Sequence, residues 1–531
     1  MTRDLIVYLS GGVPGGVYLC IGLVVLFTFI WLFTWTGTRF WTRRILWRVL
    51  GGGWLLILLL YVAVWVYLRP NPMPVRVIIT TSPLDPQTPA VWRVRGITDL
   101  IERRLAESKR PIVPLDEALC PALKTERVES PALYAIAFRM RARWIIHLQP
   151  PDSLPGSTAR VDILKRRGRR FKPVFSRSIG GGSFIAEAGE ILASIDRTIG
   201  GVPADPPRYP PGVAEGVLED FYRAFLLRDA GCIDSAAAVF AALKTARPDW
   251  PRPGVELART RIQHAPGTRY DEVRGLLIRA LKLDDQDPIV YRLLGRHFLE
   301  FHQWREAESA LKLAFNYRPD DPRTLFYLSR LSDSRLKDLP WRSPRRILEE
   351  ALHLAPGYET ARQALAKRLI VHRNPQRALK LLETGLKINP RSTQLLITQS
   401  AAFIEMSRFP EAETVCRRLL SIDPHHSAAL YNLGIALLWQ ERFDEGIAAF
   451  DSSYHLGGTD DNLYYIGLAN ERLGNWETAV KFYQLRLNRP HSAGDRAAVA
   501  AKERIQALSG LISRHDDEAE DSASENIATS R

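Results

Sequence analysis

The sequence predicts a mainly α chain: an α-solenoid of about eight helical hairpins, preceded by a small α/β domain and a two-helix transmembrane hairpin. Three observations predict it. Apolar and small residues recur in phase from Val217 to Pro490, two long apolar runs stand near the front, and short strand and helix patterns alternate in between.

Residues 1–16 form a short leading segment, followed by apolar runs at Val17–Trp35 and Leu50–Leu68. Each is near the roughly 20 residues that a helix needs to cross a bilayer. Trp31, Trp35, Trp41, Trp47, Trp65 and Tyr67 gather toward the run ends, where amphipathic rings favour the headgroup layer. A cleaved signal peptide fits less well, because no basic region precedes the first run, no small-x-small site follows it, and a second run comes at once. Arg39, Arg43, Arg44 and Arg48 make the intervening loop strongly positive. The positive-inside rule then keeps that loop in the cytoplasm and puts residues 70–531 across the membrane. Residues 69–74 (Arg-Pro-Asn-Pro-Met-Pro) are a stiff spacer, since proline blocks helix continuation.

Residues 75–200 read as the α/β domain. Val75–Thr81, Pro111–Leu115 and Trp144–Leu148 are strand candidates, Ile97–Leu105, Ala132–Arg141 and Ile185–Ile199 helix candidates, and Arg160–Leu164 with Phe171–Arg177 a hairpin about Gly168. The opening strand Val77–Thr81, Gly96-Ile97-Thr98-Asp99 with Ile101 and Leu105, and Ala135-Ile136-Ala137 leading to Arg143-Trp144-Ile145-Ile146 resemble the amino-terminal domain of TolB. They are more similar still to the TolB-like module that separates a membrane span from repeats in bacterial adenylate cyclases and membrane-integrated regulators. His147 and Leu148 depart from that pattern, which usually has a small residue there. The resemblance implies an extracytoplasmic sensing or binding module. The cyclase or regulator domain of those relatives would precede the span, and residues 1–16 are too short to hold it.

A proline-rich linker, 201–213, leads into the solenoid, 214–490. With Pro288 as position 1, Tyr291, Leu294, Gly295, Phe298, Ala307, Leu311, Ala314 and Pro319 fall at positions 4, 7, 8, 11, 20, 24, 27 and 32. Leu365, Leu369, Ala378, Leu382 and Pro390 take the same slots, and Pro424 follows Pro390 by 34 residues. Small residues at 8, 20 and 27 let paired helices approach, while larger ones at 4, 7, 11 and 24 fill the space to the next pair. These positions resemble the tetratricopeptide repeat, which implies stacked antiparallel helix pairs with a concave binding face. The unit at Pro322 carries about three extra residues around Leu339-Pro340-Trp341, a longer inter-helix turn. Residues 491–514 then form a polar capping helix, and the acidic tail 515–531 is expected to be disordered.

In this family, first-helix positions 2, 5, 9 and 12 usually face the groove. The resemblance therefore implies a partner-binding groove of Arg292, Arg296, Arg323, Phe326, Arg330, Lys367, Tyr431, Leu438 and Tyr464, cationic early and aromatic late. It suits an extended acidic or amphipathic segment of a partner protein. The Lys/Asn chaperone clamp known in the family has no counterpart here, and solvated arginines on a structural stack are the plainer alternative. The basic run Lys165, Arg166, Arg167, Arg169 and Arg170, with Lys172, is a solvated turn or a site for an anionic ligand such as a lipid headgroup.

The net charge of +14 admits anionic partners without naming one, and nucleic acid is not expected across a membrane. Gly180-Gly181-Gly182 lacks any phosphate-loop motif and reads as a turn. His425-His426 lacks further spaced ligands, and the four cysteines show no paired spacing, so no metal, disulfide or cofactor is expected. No nucleophile or acid–base motif stands out, and no enzymatic role is expected. The expected role is a membrane-anchored scaffold on the periplasmic side of a bacterial inner membrane. A sensor subunit signalling through its spans, and an accessory subunit of an envelope polysaccharide or secretion machine, are the alternatives.

Overall fold

The computed structural model describes residues 76–81, 91–107, 112–113, 142–150, 158–168, 170–180, 182–199, 212–264, 269–490 and 494–510, with single positions 84, 88, 137, 140, 209 and 492. Both apolar runs, the spacer 69–74, most of the linker, most of the helix expected at Ala132–Arg141 and the acidic tail lie outside the described residues. No helix among the described residues is long and apolar enough to cross a membrane.

The described residues all fall in one compact unit. It opens with a five-stranded sheet: β1 Arg76–Thr81, β2 Ile112–Val113, β3 Ala142–Gln149, β4 Ala159–Arg167 and β5 Arg170–Ile179. The order is β2-β1-β3-β4-β5. β1 is parallel to β2 and β3, whereas β3, β4 and β5 are antiparallel neighbours. The β1 and β3 runs are apolar on both faces, as strands buried from both sides must be. Val77, Ile79, Trp144 and Ile146 lie in the main core with two helices, α1 Val91–Glu107 and α2 Phe184–Ile199. Ile78, Ile145, Leu164 and Phe171 form a second cluster with Met140, which Ile388 of the solenoid joins.

Eight helix pairs follow, in agreement with the phase count. They are α3 Glu215–Asp229 with α4 Ile233–Ala246, α5 Pro251–His264 with α6 Tyr270–Leu283, α7 Pro288–Glu300 with α8 Trp304–Tyr317, and α9 Pro322–Leu328 with α10 Pro344–Leu354. The rest are α11 Glu359–Val371 with α12 Pro375–Ile388, α13 Thr393–Glu405 with α14 Phe409–Leu420, α15 Ser427–Leu438 with α16 Phe443–His455, and α17 Asp461–Arg472 with α18 Trp476–Leu487. A last helix, α19, covers residues 496–510 inside the expected capping segment.

The small-against-large logic of positions 8 and 24 holds in detail. A Cβ on Gly434 would come within 2.7 Å of the Phe450 ring, and one on Gly467 within 2.7 Å of Tyr483, so only glycine allows these helices to close up. The turn within each of the eight pairs carries a left-handed residue: Gly231, Arg269, His302, Arg342, Arg373, Ser407, Glu441 and Gly474. Six of these are not glycine and bear a steric cost on the order of 1 kcal/mol each. In the fourth pair, α9 stops after seven residues. The long connection to α10 buries Leu331, Leu336 and Leu339, where the sequence shows its extra residues.

The sheet domain and the solenoid share one core. The apolar cluster that begins at Val77 continues through α1 and Phe184 into Phe221, Tyr222 and Phe225 of α3, and on as far as Ala310. Gly96 makes this possible, because a Cβ there would lie 2.6 Å from Phe184 and 2.9 Å from Tyr222. Asp99 of α1 accepts from Arg252 of α5 at 2.6 Å, and Arg95 pairs with Asp229 at 3.4 Å. The segment that carries the TolB resemblance, Gly96 to Asp99, is thus the seam with the repeats.

Candidate groove of the solenoid

Except at the step from α9 to α11, successive first helices from α5 to α17 pack on one another more closely than successive second helices do. The stack therefore curves with the first helices inward, and the groove lies on their exposed side.

In the front half, the arginines expected to line this groove are engaged within the protein. Arg292 of α7 is buried and ion-paired with Asp321. That carboxylate also accepts from Thr324 Oγ1 at 2.8 Å and caps α9 by accepting from the Arg323 amide. Arg296 donates to Glu300 at 2.9 Å and to the Ile262 carbonyl, at the end of α5, at 3.2 Å. One unit back, Arg228 of α3 and Arg259 of α5 meet the buried carboxylate of Glu256 at 2.8 Å and 3.1 Å. Burial opposes ionisation of Asp99, Glu256 and Asp321, yet the arginines around each hold its carboxyl below the usual range. Burial pushes Arg259 down to about 10, and the like charges of Arg228, Arg292 and Arg323 add to that against Glu256. Three guanidiniums on three successive first helices, Arg228, Arg259 and Arg292, are thus held by two buried carboxylates.

The middle of the groove keeps exposed cations: Arg330 and Lys367 both face solvent. Phe326 is half-buried, its ring 5.6 Å from Tyr358. Beyond Lys367, first helices are joined by neutral groups. Gln363 donates to Thr398 Oγ1 and the Gln394 carbonyl, both at 3.1 Å, and Asn432 donates to Ser400 Oγ at 2.8 Å. Here the groove is apolar, with half-buried Ile404, Tyr431 and Tyr464 against a cluster that includes Ile435 and Leu438. Tyr431 sits 5.7 Å from Tyr465 and 6.0 Å from Phe450, and burial pushes its phenol up. Leu438, expected on the surface, is buried.

Sequence reasoning missed Glu256, Asp321, Arg228 and Arg259. Asp321 carried a signal: Asp-Pro opens α9 as it opens α7 at Asp287-Pro288, and the cap carboxylate has a second oxygen to offer.

The other sites are accounted for locally. The Gly180 and Gly182 amides both donate to Glu187 Oε1 at 3.0 Å, so the carboxylate of the following helix fills that turn. His426 caps α15, accepting from the Ala429 amide at 3.2 Å. Cys416 is buried, which pushes its thiol up to about 12, while Cys232 is exposed. Among the described residues no group of three or more His, Cys, Asp or Glu could hold a metal ion. His147, the departure from the TolB-like pattern, is fully buried with Nδ1 2.7 Å from Thr80 Oγ1. Burial lowers its imidazole to about 4, against the opposing charge of Asp162.

Two family models, each for a tetratricopeptide repeat, match residues 403–453 and 461–485. The rear of the stack thus carries tetratricopeptide repeats. Neither match reaches the sheet domain. Among solved structures, the chain is similar to that of the APC/C hetero-tetramer Cut9-Hcn1, with TM-score 0.42 and 13% identity over 61% of this chain and 59% of that one. It is also similar to Pseudomonas aeruginosa pilF, with TM-score 0.35 and 14% identity over 41% of this chain and 98% of that one. The chain thus spans about three fifths of the length of the first of these. No curated protein matches it. Tetratricopeptide repeats generally mediate protein–protein interactions.

Proposed function

We propose that the chain is a membrane-tethered scaffold, without catalytic activity, whose repeats seat a segment of a partner protein in the rear half of the groove. The carrying observation is the change of character after Lys367: along the first helices, exposed Arg330 and Lys367 are followed by half-buried Ile404, Tyr431 and Tyr464. The complementary ligand is an amphipathic segment with acidic residues at one end and aromatic or aliphatic residues at the other. Tethering by the two apolar runs would raise the effective concentration of the groove for neighbouring membrane proteins.

Lys367→Glu and Tyr431→Ala test this reading better than charge reversal at Arg292, which would break a buried pair. A photo-crosslinker at Tyr464 in cells is expected to capture a protein that the same group at Lys244, on a second helix, does not. Lys367→Glu should abolish the capture; capture that is equal at both positions, or indifferent to Lys367→Glu, defeats the proposal. Placement of residues 70–531 in the periplasm is tested by a reporter fused after Arg531, which should be active only outside the cytoplasm.

The sensor reading draws on the shared core. A ligand that moved the sheet would carry α1 with it, and the Asp99–Arg252 bridge would pass that displacement into α5. Asp99→Asn would then uncouple signalling output while crosslinking at Tyr464 continued.

A further inference from the structure

The sheet register brings the basic hairpin to a defined place. Arg76, the first residue of β1, pairs with Ala142, the first of β3. β4 runs antiparallel to β3 with Lys165 opposite Trp144, so two residues on Arg167 is level with Ala142 and hence with the start of β1. Arg167 in turn pairs with Arg170, and Lys165 with Lys172. The hairpin tip and the point where the chain enters the sheet therefore share one end of it.

The tip is built to meet something anionic. Arg167, Arg170 and Lys172 are exposed, and among the described residues neither they nor Lys165 have a carboxylate in ion-pair distance. The Lys165 ammonium lies over the Trp144 ring, 5.1 Å from its centroid, and the side chain is half-buried. Arg166 donates to the Gly168 carbonyl at 3.2 Å, and Gly168 takes the left-handed φ of 64° that a tight turn requires. Beside these cations β5 exposes Pro173 and Val174, apolar groups on the outer strand. In sequence, Arg76 follows Leu68, the end of the second apolar run, by only eight positions. Eight residues span at most about 27 Å.

We infer that Lys165, Arg166, Arg167, Arg170 and Lys172 form a binding site for the phosphate headgroups of anionic phospholipids. The inference rests on the membrane reading of residues 17–68. Clustered cations close to an anionic leaflet are drawn to it without a shaped pocket, and Arg and Lys donate charge-assisted hydrogen bonds to phosphodiester oxygens.

The test uses the full chain in lipid nanodiscs, of phosphatidylcholine alone or with a third phosphatidylglycerol, and reads acetylation rates of single lysines by mass spectrometry. Lys165 and Lys172 should be labelled about fivefold more slowly in the anionic discs, the factor expected of one cation at such a surface, while Lys244 and Lys282 label equally in both. Salt at about 1 M, where the Debye length falls to about 3 Å, should restore labelling. Arg167→Gln with Arg170→Gln should return Lys172 to its rate in neutral discs. Equal labelling in both discs overturns the inference and leaves the anchor intact. Protection by inorganic phosphate in neutral discs assigns the site to a soluble anion and also overturns it. Failure of the chain to enter either disc removes the anchor, and the inference with it.

Discussion

The two halves of the repeat stack solve the same packing problem with different chemistry. In front, successive first helices are bridged by buried charges, Arg228 on Glu256 and Arg292 on Asp321, with Arg259 adding a second guanidinium to Glu256 from within α5. Behind, amides and hydroxyls of Gln363, Thr398, Asn432 and Ser400 do the joining. A buried ion pair contributes little net stability, but losing one partner strands the other charge in a poorly solvating site. The front half is therefore intolerant of change and has its groove cations occupied; the rear half joins its first helices through neutral groups, keeps pairs such as buried Glu413 with Arg442 away from those joints, and leaves its apolar groove open to a ligand.

The largest expected effect follows from this. Glu256→Ala leaves both Arg228 and Arg259 without a counterion and should cost on the order of 4 kcal/mol, read as a lowered midpoint in urea unfolding of the full chain. A loss below about 1 kcal/mol would show that water reaches these arginines and would erase the contrast.

Acid should separate the halves next. The folded carboxyls of Asp99, Glu256 and Asp321 titrate below their unfolded values. The unfolded chain thus binds more protons between the two, and the stability these groups contribute is complete above about pH 5 and is lost as pH falls below it. Amide hydrogen exchange should show α3, α5, α7 and α9 losing protection between pH 5 and 3 more steeply than α13, α15 and α17. A uniform loss would contradict it.

A smaller effect belongs to the rear. Gln363→Ala removes neutral hydrogen bonds to Thr398 and to the Gln394 carbonyl, and should cost about 1 kcal/mol in the same unfolding experiment. The smallest change is a gain. Glu441 has φ 62°, and Glu441→Gly should stabilise the chain by a few tenths to about 1 kcal/mol, the relief of left-handed strain less the added freedom of the unfolded chain.

Much of the architecture was readable before any coordinates. Helix pairs, their phase and the small-against-large contacts follow from residues such as Gly434 and Phe450, sixteen apart, because helical geometry fixes which side chains meet. The strand hairpin about Gly168 was readable for a similar reason, since β-branched and aromatic runs flank a residue suited to a left-handed turn. The groove was legible only in direction. First-helix positions say where Arg292 points, but its partner Asp321 stands 29 residues on, and nothing local pairs the two. The seam between sheet and repeats was missed although α1 held a clue. Val91, Trp92, Val94, Ile97, Leu100, Ile101 and Leu105 are all buried, a stripe too broad for a helix with one apolar face.

That shared helix limits how this chain can change over evolution. Repeat proteins ordinarily grow, shrink and recombine by whole units, since each unit meets only its neighbours. Here the foremost unit is committed: a truncation that removed α1 would bare Phe221, Tyr222 and Phe225, and any inserted unit would have to reproduce a surface shaped to Gly96. Duplication and loss are free to act toward the carboxyl end alone, so length variation among descendants of this chain should be found there.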